Sequence, residues 1–363
     1  MKKVLCILNS LTAGGAETFM MKIYRALPSA KYRMDFVVSE ENGCYMQEVL
    51  DRGALVHKIP MRTKDPVGAL NGIRKIVKSN HYRCVLKLGD TAVASLDLVA
   101  AGLGGAKFRA MRSCNALTGV SLQKRCVHAL LRPVLNLAAN VKLAPSMLAA
   151  EYTFGKRAAR RDVHLLHNGV DLDVFRFDPE ARQQIREEFD LKDRLVVGHI
   201  GRFHKQKNHP YLLEVFRTIR MQRPDAALLL VGEGGEEERI RRRAAELGID
   251  DAVIFTGVRF DVPRLLSAMD VFVFPSLHEG MPNTVIEAQA TGLPCVIADT
   301  ITPEADITGL VQYLPLEQPE IWADAAIAAV TAERRDTAPD FAAHGYEIGR
   351  VAEELMELLF RSE

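Results

Sequence analysis

Two glutamates, Glu279 and Glu287, stand eight residues apart in a segment whose residue types suit a phosphate-bearing ligand. The apolar run before them, residues 271–274, predicts a buried parallel strand. Pro282, between them, suits the first position of a helix, where its missing N–H costs nothing. The first N–H groups of that helix would lack partners at the positive end of the helix dipole. These groups belong to Asn283, Thr284 and Val285. The pattern predicts an anion site that fits a diphosphate, flanked by two carboxylates.

Two cations, Arg202 and Lys207, follow another predicted strand, residues 195–200. Arginine offers a planar fork and lysine a mobile point charge, so together they can neutralise a diphosphate and stabilise a departing phosphate. An ordinary exposed basic loop would have the same composition. The place of this loop, at the mouth of the same predicted sheet as Glu279, favours a ligand site.

Glu287 would lie inside the helix that faces this site. Its carboxylate has two acceptor oxygens and is a natural partner for the vicinal hydroxyls of a ribose. The alternative is an acid that only complements the helix dipole.

Short apolar strands alternate with helical segments in two cycles, which predicts an α/β fold with two doubly wound, Rossmann-like domains. The domains are expected at 1–168 and 191–345, with a polar linker at 169–190 and an amphipathic C-terminal helix at 346–363. Ligands of such domains bind at the carboxyl ends of the strands, which are expected to face a central cleft. The clearest strand candidates are residues 4–8, 34–38, 55–59, 84–88, 108–111, 141–144, 195–200, 227–231, 253–255, 271–274 and 295–298.

A set of short motifs follows the chain in order. They are GGAE at 14–17, HNGVD at 167–171, GRF at 201–203 with KN at 207–208, VGEG at 231–234, FTG at 255–257, FPS at 274–276, EGMP at 279–282 and EAQATGLP at 287–294. In this order and spacing they resemble the retaining, nucleotide-sugar-dependent glycosyltransferases of the sucrose-synthase-like family, glycosyltransferase family 4, whose two domains form the GT-B fold. Members that act in capsular and exopolysaccharide synthesis are the most similar.

The resemblance implies a metal-independent hexosyl- or N-acetylhexosaminyl-transferase that moves a sugar from a nucleotide diphosphate to an acceptor hydroxyl, with no cofactor. A UDP-sugar is expected over a GDP- or ADP-sugar, and the acceptor is expected to be a sugar or a lipid-linked sugar, in the synthesis of a surface polysaccharide or glycolipid. Glu279 is implied to contact the donor sugar and Glu287 the ribose. The implied catalytic residues are Arg202, Lys207, Glu279 and Asp90. The implied donor-binding residues are Gly14, Gly15, Arg202, Lys207, Val258, Glu279, Gly280, Met281, Asn283, Thr284, Val285 and Glu287. In the family, the C-terminal helix crosses back onto the first domain.

The first domain fits the family less closely. Many relatives carry a histidine after the fourth or fifth strand, where this chain has Asp90 and Asn115. These two residues are expected to contact the sugar or the acceptor instead. Gly14 and Gly15 allow the backbone to approach a ligand, although a plain turn would use the same pair. Neither a G-x-G-x-x-G fingerprint nor a P-loop motif occurs, which disfavours NAD enzymes and P-loop ATPases.

Asp171 and Asp173 imitate the D-x-D metal motif of the other major glycosyltransferase fold. They fall in the predicted linker, where the family has a structural turn, so no metal site is expected. The six cysteines include no C-x-x-C pair, which disfavours a zinc site and favours a reducing cytoplasm.

Charge is unevenly distributed although the chain of 363 residues carries a net charge of only +1. From Arg109 to Arg161 there are ten lysines and arginines, and Glu151 is the only acid. This stretch suits an anionic membrane surface or a phosphorylated acceptor, and equally a solvated face.

Nucleic-acid binding is not expected, because the arginines at 239–243 mix with glutamates and no stacking aromatic accompanies them. No apolar run is long enough to span a membrane. A cytoplasmic protein, either free or peripheral on the inner face of the cytoplasmic membrane, is therefore expected.

Two other classes of function stay open. A nucleotide-sugar epimerase can share the fold, but it would need acid and base groups around the sugar, and Asp90 is the one candidate in the first domain. A non-catalytic subunit could bind a nucleotide sugar. The intact set of Arg202, Lys207, Glu279 and Glu287 speaks against that second class.

Overall fold

The computed structural model describes residues 1–12, 14–40, 43–114, 121–330 and 333–361. They fall into two compact units. The first unit consists of Met1–Gly169 together with Gly345–Glu363, and the second of Val170–His344.

The first unit has a parallel sheet covered by helices on both faces. Its strands, within the described ranges, are β1 (Lys2–Ile7), β2 (Tyr32–Val38), β3 (Val56–Lys58), β4 (Cys84–Gly89), β5 (Phe108–Ser113), β6 (Val141–Ala144) and β7 (Val163–Leu165). The helices are α1 (Gly15–Ala26), α2 (Met46–Asp51), α3 (Pro66–Ser79), α4 (Ser95–Leu103), α5 (Leu122–Ala138), α6 (Met147–Phe154) and α7 (Lys156–Asp162). The strand order is β3-β2-β1-β4-β5-β6-β7.

The second unit repeats this design. Its helices are α8 (Pro179–Glu188), α9 (His209–Gln222), α10 (Glu237–Glu246), α11 (Val262–Ala268), α12 (Asn283–Ala290), α13 (Pro319–Ala328) and α14 (Ala338–Ala343). The strands are β8 (Val196–Ile200), β9 (Ala227–Val231), β10 (Val253–Phe255), β11 (Val271–Phe274), β12 (Cys295–Ala298) and β13 (Val311–Leu314). They pair in parallel in the order β10-β9-β8-β11-β12-β13. The doubly wound α/β fold predicted from the sequence is thus confirmed.

One further helix, α15 (Ile348–Phe360), belongs to the first unit. Its buried face joins the core cluster built on alternate residues of β1, β2 and β4. The buried residues of this face are Val351, Ala352, Leu355, Met356, Leu359 and Phe360. The opposite face of the first sheet packs against α3, α4 and α5.

The strand order reverses once in each sheet. In the first sheet, β1 lies between β2 and β4; in the second, β8 lies between β9 and β11. Open α/β sheets bind ligands at this switch point, beyond the carboxyl ends of the strands. The loops after β1, β4, β8 and β11 are therefore where a site is expected. The GGAE motif follows β1, the GRF motif follows β8, the FPS motif begins at the last residue of β11, and the EGMP motif follows that strand.

The segment 169–190, suggested by the sequence as a linker, contains α8. Asp178 caps this helix by accepting from the N–H groups of Glu180 and Ala181. Arg182 and Arg186 donate to Asp270, each at 2.6 Å, and so attach α8 to the start of β11.

Candidate functional site

The loops after β8 and β11 bring Lys207 and Glu279 together. Lys207 Nζ donates to Glu279 Oε1 over 2.8 Å, across 72 positions of sequence. The side chains are 18% and 9% exposed, so water weakens this ion pair less than it would a surface pair. The ammonium group also lies 4.4 Å from the centre of the Phe274 ring, a cation–π contact. Lys207 is therefore held in one place instead of moving freely on its stem.

Backbone contacts join the same two loops. Leu277 N donates to the carbonyl of Gln206 at 2.8 Å. The side chain of Gln206 in turn donates to the carbonyl of His278, also at 2.8 Å. Asn208, which follows a short 3-10 helix over Lys205–Lys207, has a left-handed backbone with φ of 55° and starts α9. The position of Lys207 is thus fixed by its main chain as well as by its side chain.

Two glycines after β9 support the β8 loop from the other side. A Cβ on Gly232, whose φ is +133°, would lie 2.3 Å from Gly201 O, and one on Gly234 would lie 2.4 Å from Phe203 O. Phe203 N donates to Glu233 O at 2.9 Å. Since the loop with Arg202 rests directly on this backbone, these positions have no room for a side chain.

Helix α12 starts one residue later than the sequence predicted, because Pro282 is its N-cap and not its first residue. The prediction of three unpaired N–H groups is also corrected. Val285 N donates to Pro282 O at 3.2 Å, since the first turn tightens around the proline. The end of α12 that faces outward is therefore formed by Asn283 and Thr284.

The position of α12 depends on Gln289, which the sequence analysis did not single out. Its buried amide donates to Ala305 O at 2.7 Å, and its oxygen accepts from Ile307 N at 2.9 Å. Thr337 Oγ1 donates to the carbonyls of Gln289 and Ala290 at the other end. The sequence signal for these hydrogen bonds was a glutamine in a motif of small residues, because a buried polar side chain needs hydrogen-bond partners.

The remaining predicted donor residues of the second unit differ in exposure. Glu287 lies on α12 and is buried, as are Gly280 and Met281. Arg202 is exposed, and Val258, in the loop after β10, is 43% exposed. Arg202, Val258, Glu279 and Glu287 all follow strands of one sheet at the same edge.

Two buried histidines of the second unit, His199 and His209, lie close to Lys207. His199 Nδ1 and Val273 O are 2.9 Å apart, and the His199 ring contacts that of His209 at 4.9 Å. Burial lowers the pKa of His199 well below its usual range and that of His209 to about 4. Both are neutral packing groups near pH 7 and not general bases.

In the first unit, Gly14 and Gly15 begin α1 after β1, and the Glu17 side chain folds back over Gly14. Asp90 follows β4 and is half-buried. These residues lie at the switch point of the first sheet. Asn115 falls outside the described residues.

A buried histidine that sequence reasoning missed supports the Asp90 loop. His128, on α5, accepts from Ala92 N at 3.0 Å through Nδ1, so its proton is on Nε2, which is 3.0 Å from Tyr152 O. Burial lowers its pKa. Both ring nitrogens have partners, and His128 is therefore a support of the loop and not the missing catalytic histidine.

Asp171 forms a turn. Its Oδ1 accepts from the N–H groups of Asp173 and Val174, each at 3.2 Å. Within the ranges that the structure describes, no three His, Cys, Asp or Glu side chains are grouped so that they could hold a metal ion.

Comparison with known proteins identifies the class. Residues 194–332 match the family model "Glycosyl transferases group 1". Over its whole length the chain has the fold of HepE from Anabaena, solved with UDP and glucose, with a TM-score of 0.80, 20% identity and 99% of each chain covered. This is the GT-B fold.

The sequence relatives establish the family. The chain is 32% identical over 341 residues to the putative glycosyltransferase EpsF of Bacillus subtilis, covering 92% of this chain and 89% of EpsF. It is 34% identical over 143 residues to a UDP-Gal:α-D-GlcNAc-diphosphoundecaprenol α-1,3-galactosyltransferase of Escherichia coli, covering 38% of this chain and 36% of that protein. The chain belongs to the group 1 glycosyltransferases and is a glycosyltransferase with a nucleotide-sugar donor.

No helix in the described part of the chain is long and apolar enough to cross a membrane.

Proposed function

We propose that the chain is a retaining, metal-independent hexosyl- or N-acetylhexosaminyl-transferase that acts on a nucleotide-diphosphate sugar. The observation that carries this proposal is the fixed Lys207 ammonium group beside Glu279 at the switch point of the second sheet. Lysine has three N–H donors, and Glu279 takes one of them. The others can serve a diphosphate without any movement of the loop, which is how preorganised electrostatic stabilisation works.

The proposed mechanism places the leaving nucleotide between Lys207, Arg202 and the first turn of α12. Negative charge grows on the diphosphate as the bond to the sugar breaks, and these groups stabilise that charge. The acceptor hydroxyl then attacks from the face that the nucleotide leaves and passes its proton to the departing diphosphate, so the bond to the nucleotide is replaced by a bond to the acceptor and the anomeric configuration is retained. Glu279 contacts the sugar and Glu287 the ribose. Gly14, Gly15 and Asp90 are proposed to contact the donor or acceptor at the edge of the first sheet.

We propose a UDP-sugar donor in preference to GDP- or ADP-sugars. The galactosyltransferase relative is named for UDP-Gal, whereas a Mycolicibacterium smegmatis relative, 36% identical over 152 residues, is named for GDP-mannose. The same two names give the acceptors as GlcNAc-diphosphoundecaprenol and phosphatidylinositol monomannoside. Both are lipids, which supports a lipid-linked acceptor, a peripheral place on the inner face of the cytoplasmic membrane, and a role in surface polysaccharide or glycolipid synthesis.

Incubation with a panel of nucleotide sugars and no acceptor tests the proposed activity. Slow release of free sugar, detected by mass spectrometry, is the expected result for a transferase. Conversion to an epimeric nucleotide sugar would establish an epimerase instead. No turnover of any donor, with binding retained, would establish a non-catalytic subunit.

A further inference from the structure

A small pocket of the second unit lies between the start of α9 and the first turn of α10. Its volume is about 180 Å³. Pockets that hold drug-sized ligands begin at roughly 300 Å³, so this one suits a small ion or a compact group. Its polar lining residues are His204, Lys205, Asn208, His209, Glu236 and Arg239. Of the described residues that line the pocket, none is predicted to bind the donor, and the pocket is therefore separate from the donor site.

The ring of His209 brings an unused hydrogen-bonding atom to this pocket. The residue is only 1% exposed, and its Nε2 has no hydrogen-bond partner in the described part of the chain. The rings of His199 and Phe203 pack edge-on against it, with ring centres 4.9 Å and 4.8 Å away, and neither gives Nε2 a hydrogen bond. Buried polar atoms of native proteins nearly always have a partner. Since His209 lines the pocket, we expect a ligand there to be that partner.

The charges around the pocket favour an anion. Lys205 and Arg239 are exposed cations, and Glu236 is the one acid among the described lining residues. Glu236 already accepts from Arg239 at 3.1 Å, whereas Lys205 forms no ion pair within the described ranges. His204 accepts from Gln206 N through Nδ1 at 3.3 Å, so its proton is on Nε2, which can donate to a ligand. Helix α9 also begins here, with the positive end of its dipole.

We infer that this pocket is a second anion site, which binds inorganic phosphate or the phosphate group of a small monoester. The groups around it come from three segments of the chain: the loop after β8, the start of α9 and the first turn of α10. A phosphate has at least three strong acceptor oxygens that point in different directions, so it can accept from all three segments. A carboxylate has two oxygens in one plane and would leave one segment without a partner.

A bound phosphate would connect the loop after β8 to α10. Lys205 and Lys207 share one short 3-10 helix in this loop. A backbone hydrogen bond from Glu236 N to Phe203 O, at 3.2 Å, already joins the two segments. An anion between Lys205 and Arg239 would reinforce this connection and oppose displacement of the loop. Donor binding needs the loop in place, so a filled pocket should strengthen it. This coupling rests on the proposed function, whereas the anion site itself does not.

Calorimetry with UDP-saturated protein tests the site, because UDP fills the donor site and leaves the pocket open to inorganic phosphate. We expect one phosphate per chain, similar binding of methyl phosphate, and at least tenfold weaker binding of acetate. Lys205→Gln with Arg239→Gln should weaken phosphate binding by on the order of tenfold or more, because bonds to charged groups are lost. His209→Phe keeps an aromatic ring and removes Nε2, and it should weaken binding about threefold or more.

Arg217→Gln with Arg242→Gln is the matched control. These two arginines are exposed on α9 and α10, lie outside the pocket, and carry the same charge as the pair replaced in the pocket. The control should bind phosphate as the wild type does. Thermal melting monitored by circular dichroism checks the folding of all variants. Repeating the titrations without nucleotide should give the same differences between variants, so the test stands whether or not UDP binds.

Steady-state kinetics tests the coupling. Without phosphate, the pocket variant with both Lys205 and Arg239 replaced should have the same KM for the donor as the wild type. At a phosphate concentration that fills the pocket, its KM should be about fivefold higher than that of the wild type, the lower end of common coupling between sites. Competition of phosphate at the donor site affects both proteins equally.

The inference has clear contrary outcomes. A wild type that binds no phosphate, or a control that loses as much affinity as the pocket variant, would overturn the site. Acetate bound as tightly as phosphate would refute the ligand class. Equal KM values at saturating phosphate would refute the coupling. If only the proposed function were wrong, transfer would be absent while the pocket variants still changed phosphate binding, so the two failures are distinguishable.

Discussion

Lys207 illustrates how a flexible side chain becomes a fixed charge. Lysine has about 2 kcal/mol of rotamer entropy, which would be lost each time a ligand orders it. Here Glu279 and the Phe274 ring hold the ammonium group, and the Cβ position of Gly201 is left open for the stem, since an atom there would lie 3.0 Å from Lys207 Cε. The rotamer entropy of Lys207 is already lost when the protein folds, so ligand binding does not reduce it further and the charge is in place for the reaction.

Removing this charge should affect turnover more than binding. Lys207→Ala and Arg202→Ala are each expected to lower kcat by on the order of 10² or more, because the negative charge that they stabilise is largest when the bond breaks. Steady-state kinetics at saturating donor measures it. Lys205→Ala, at an exposed neighbouring position, is the matched control and should lower kcat less than twofold. A rise in KM with unchanged kcat would assign the two cations to ground-state binding only.

The two buried glutamates should separate in calorimetry with bare nucleoside diphosphate. Glu287→Ala should weaken its binding, because a ribose hydroxyl loses its partner. Glu279→Ala should not weaken it, since Lys207 then keeps its charge without a competing carboxylate. Both variants should weaken binding of the sugar nucleotide. Equal losses of bare-nucleotide affinity in the two variants would contradict these roles.

A chelator distinguishes the proposed use of fixed cations from metal catalysis. EDTA should leave the initial rate unchanged, because Arg202, Lys207 and the α12 terminus supply the positive charge that a divalent ion would otherwise bring. Activity that disappears with EDTA and returns with manganese would contradict this. Asp171 and Asp173 would then be the first residues to mutate.

At the scale of elements, the conformation of the loop after β8, which carries Arg202, depends on the backbone that follows β9. Gly234→Ala should distort it, because the new Cβ would lie 2.4 Å from Phe203 O. We expect at least a tenfold loss in kcat/KM, since the distortion moves Arg202. Gly235→Ala is an exact neighbour with nothing within 4 Å of the added atom, and it should behave as the wild type. Activity assays on the two variants compare them directly.

The sequence predicted the central strands well, but of the four edge strands it predicted only β3 and β10. Residues 227–231 and 271–274 were predicted with the bounds of β9 and β11, because a strand buried on both faces is a continuous apolar run. The edge strands β7 and β13 were missed. Both are short and partly exposed, and His164 and Gln312 interrupt their apolar pattern.

Candidate residues were easier to name than their contacts. The motifs pointed to Lys207 and Glu279, but not to the ion pair between them, because it depends on how two loops meet across neighbouring strands. His128 was overlooked because nothing in its own helix marks it: its partners Ala92 and Tyr152 lie on either side of it in the sequence.

At the scale of the whole molecule, α15 completes a core whose other residues come from the first half of the chain. Leu355→Ala should destabilise the first unit by about 2–5 kcal/mol, the usual cost of deleting a buried leucine. Glu353→Ala, exposed on the same helix, should change stability by less than about 0.5 kcal/mol. Urea unfolding measures both. Nucleoside diphosphate binding by Leu355→Ala should persist below its transition, and its loss in parallel would show that the two units unfold as one.

Helix α15 belongs to the first unit but lies near the end of the chain, and this placement also determines the order in which the two units can fold during synthesis. When Gly169 has been translated, one face of the first sheet is still uncovered. Helix α15, which covers this face, is translated only after all of Val170–His344. At about 5–20 residues per second, that interval lasts on the order of ten to forty seconds. The second unit, being continuous, can fold while the first waits with apolar surface exposed. On the ribosome, the nascent first unit should therefore be the part that depends on chaperones, although it emerges first.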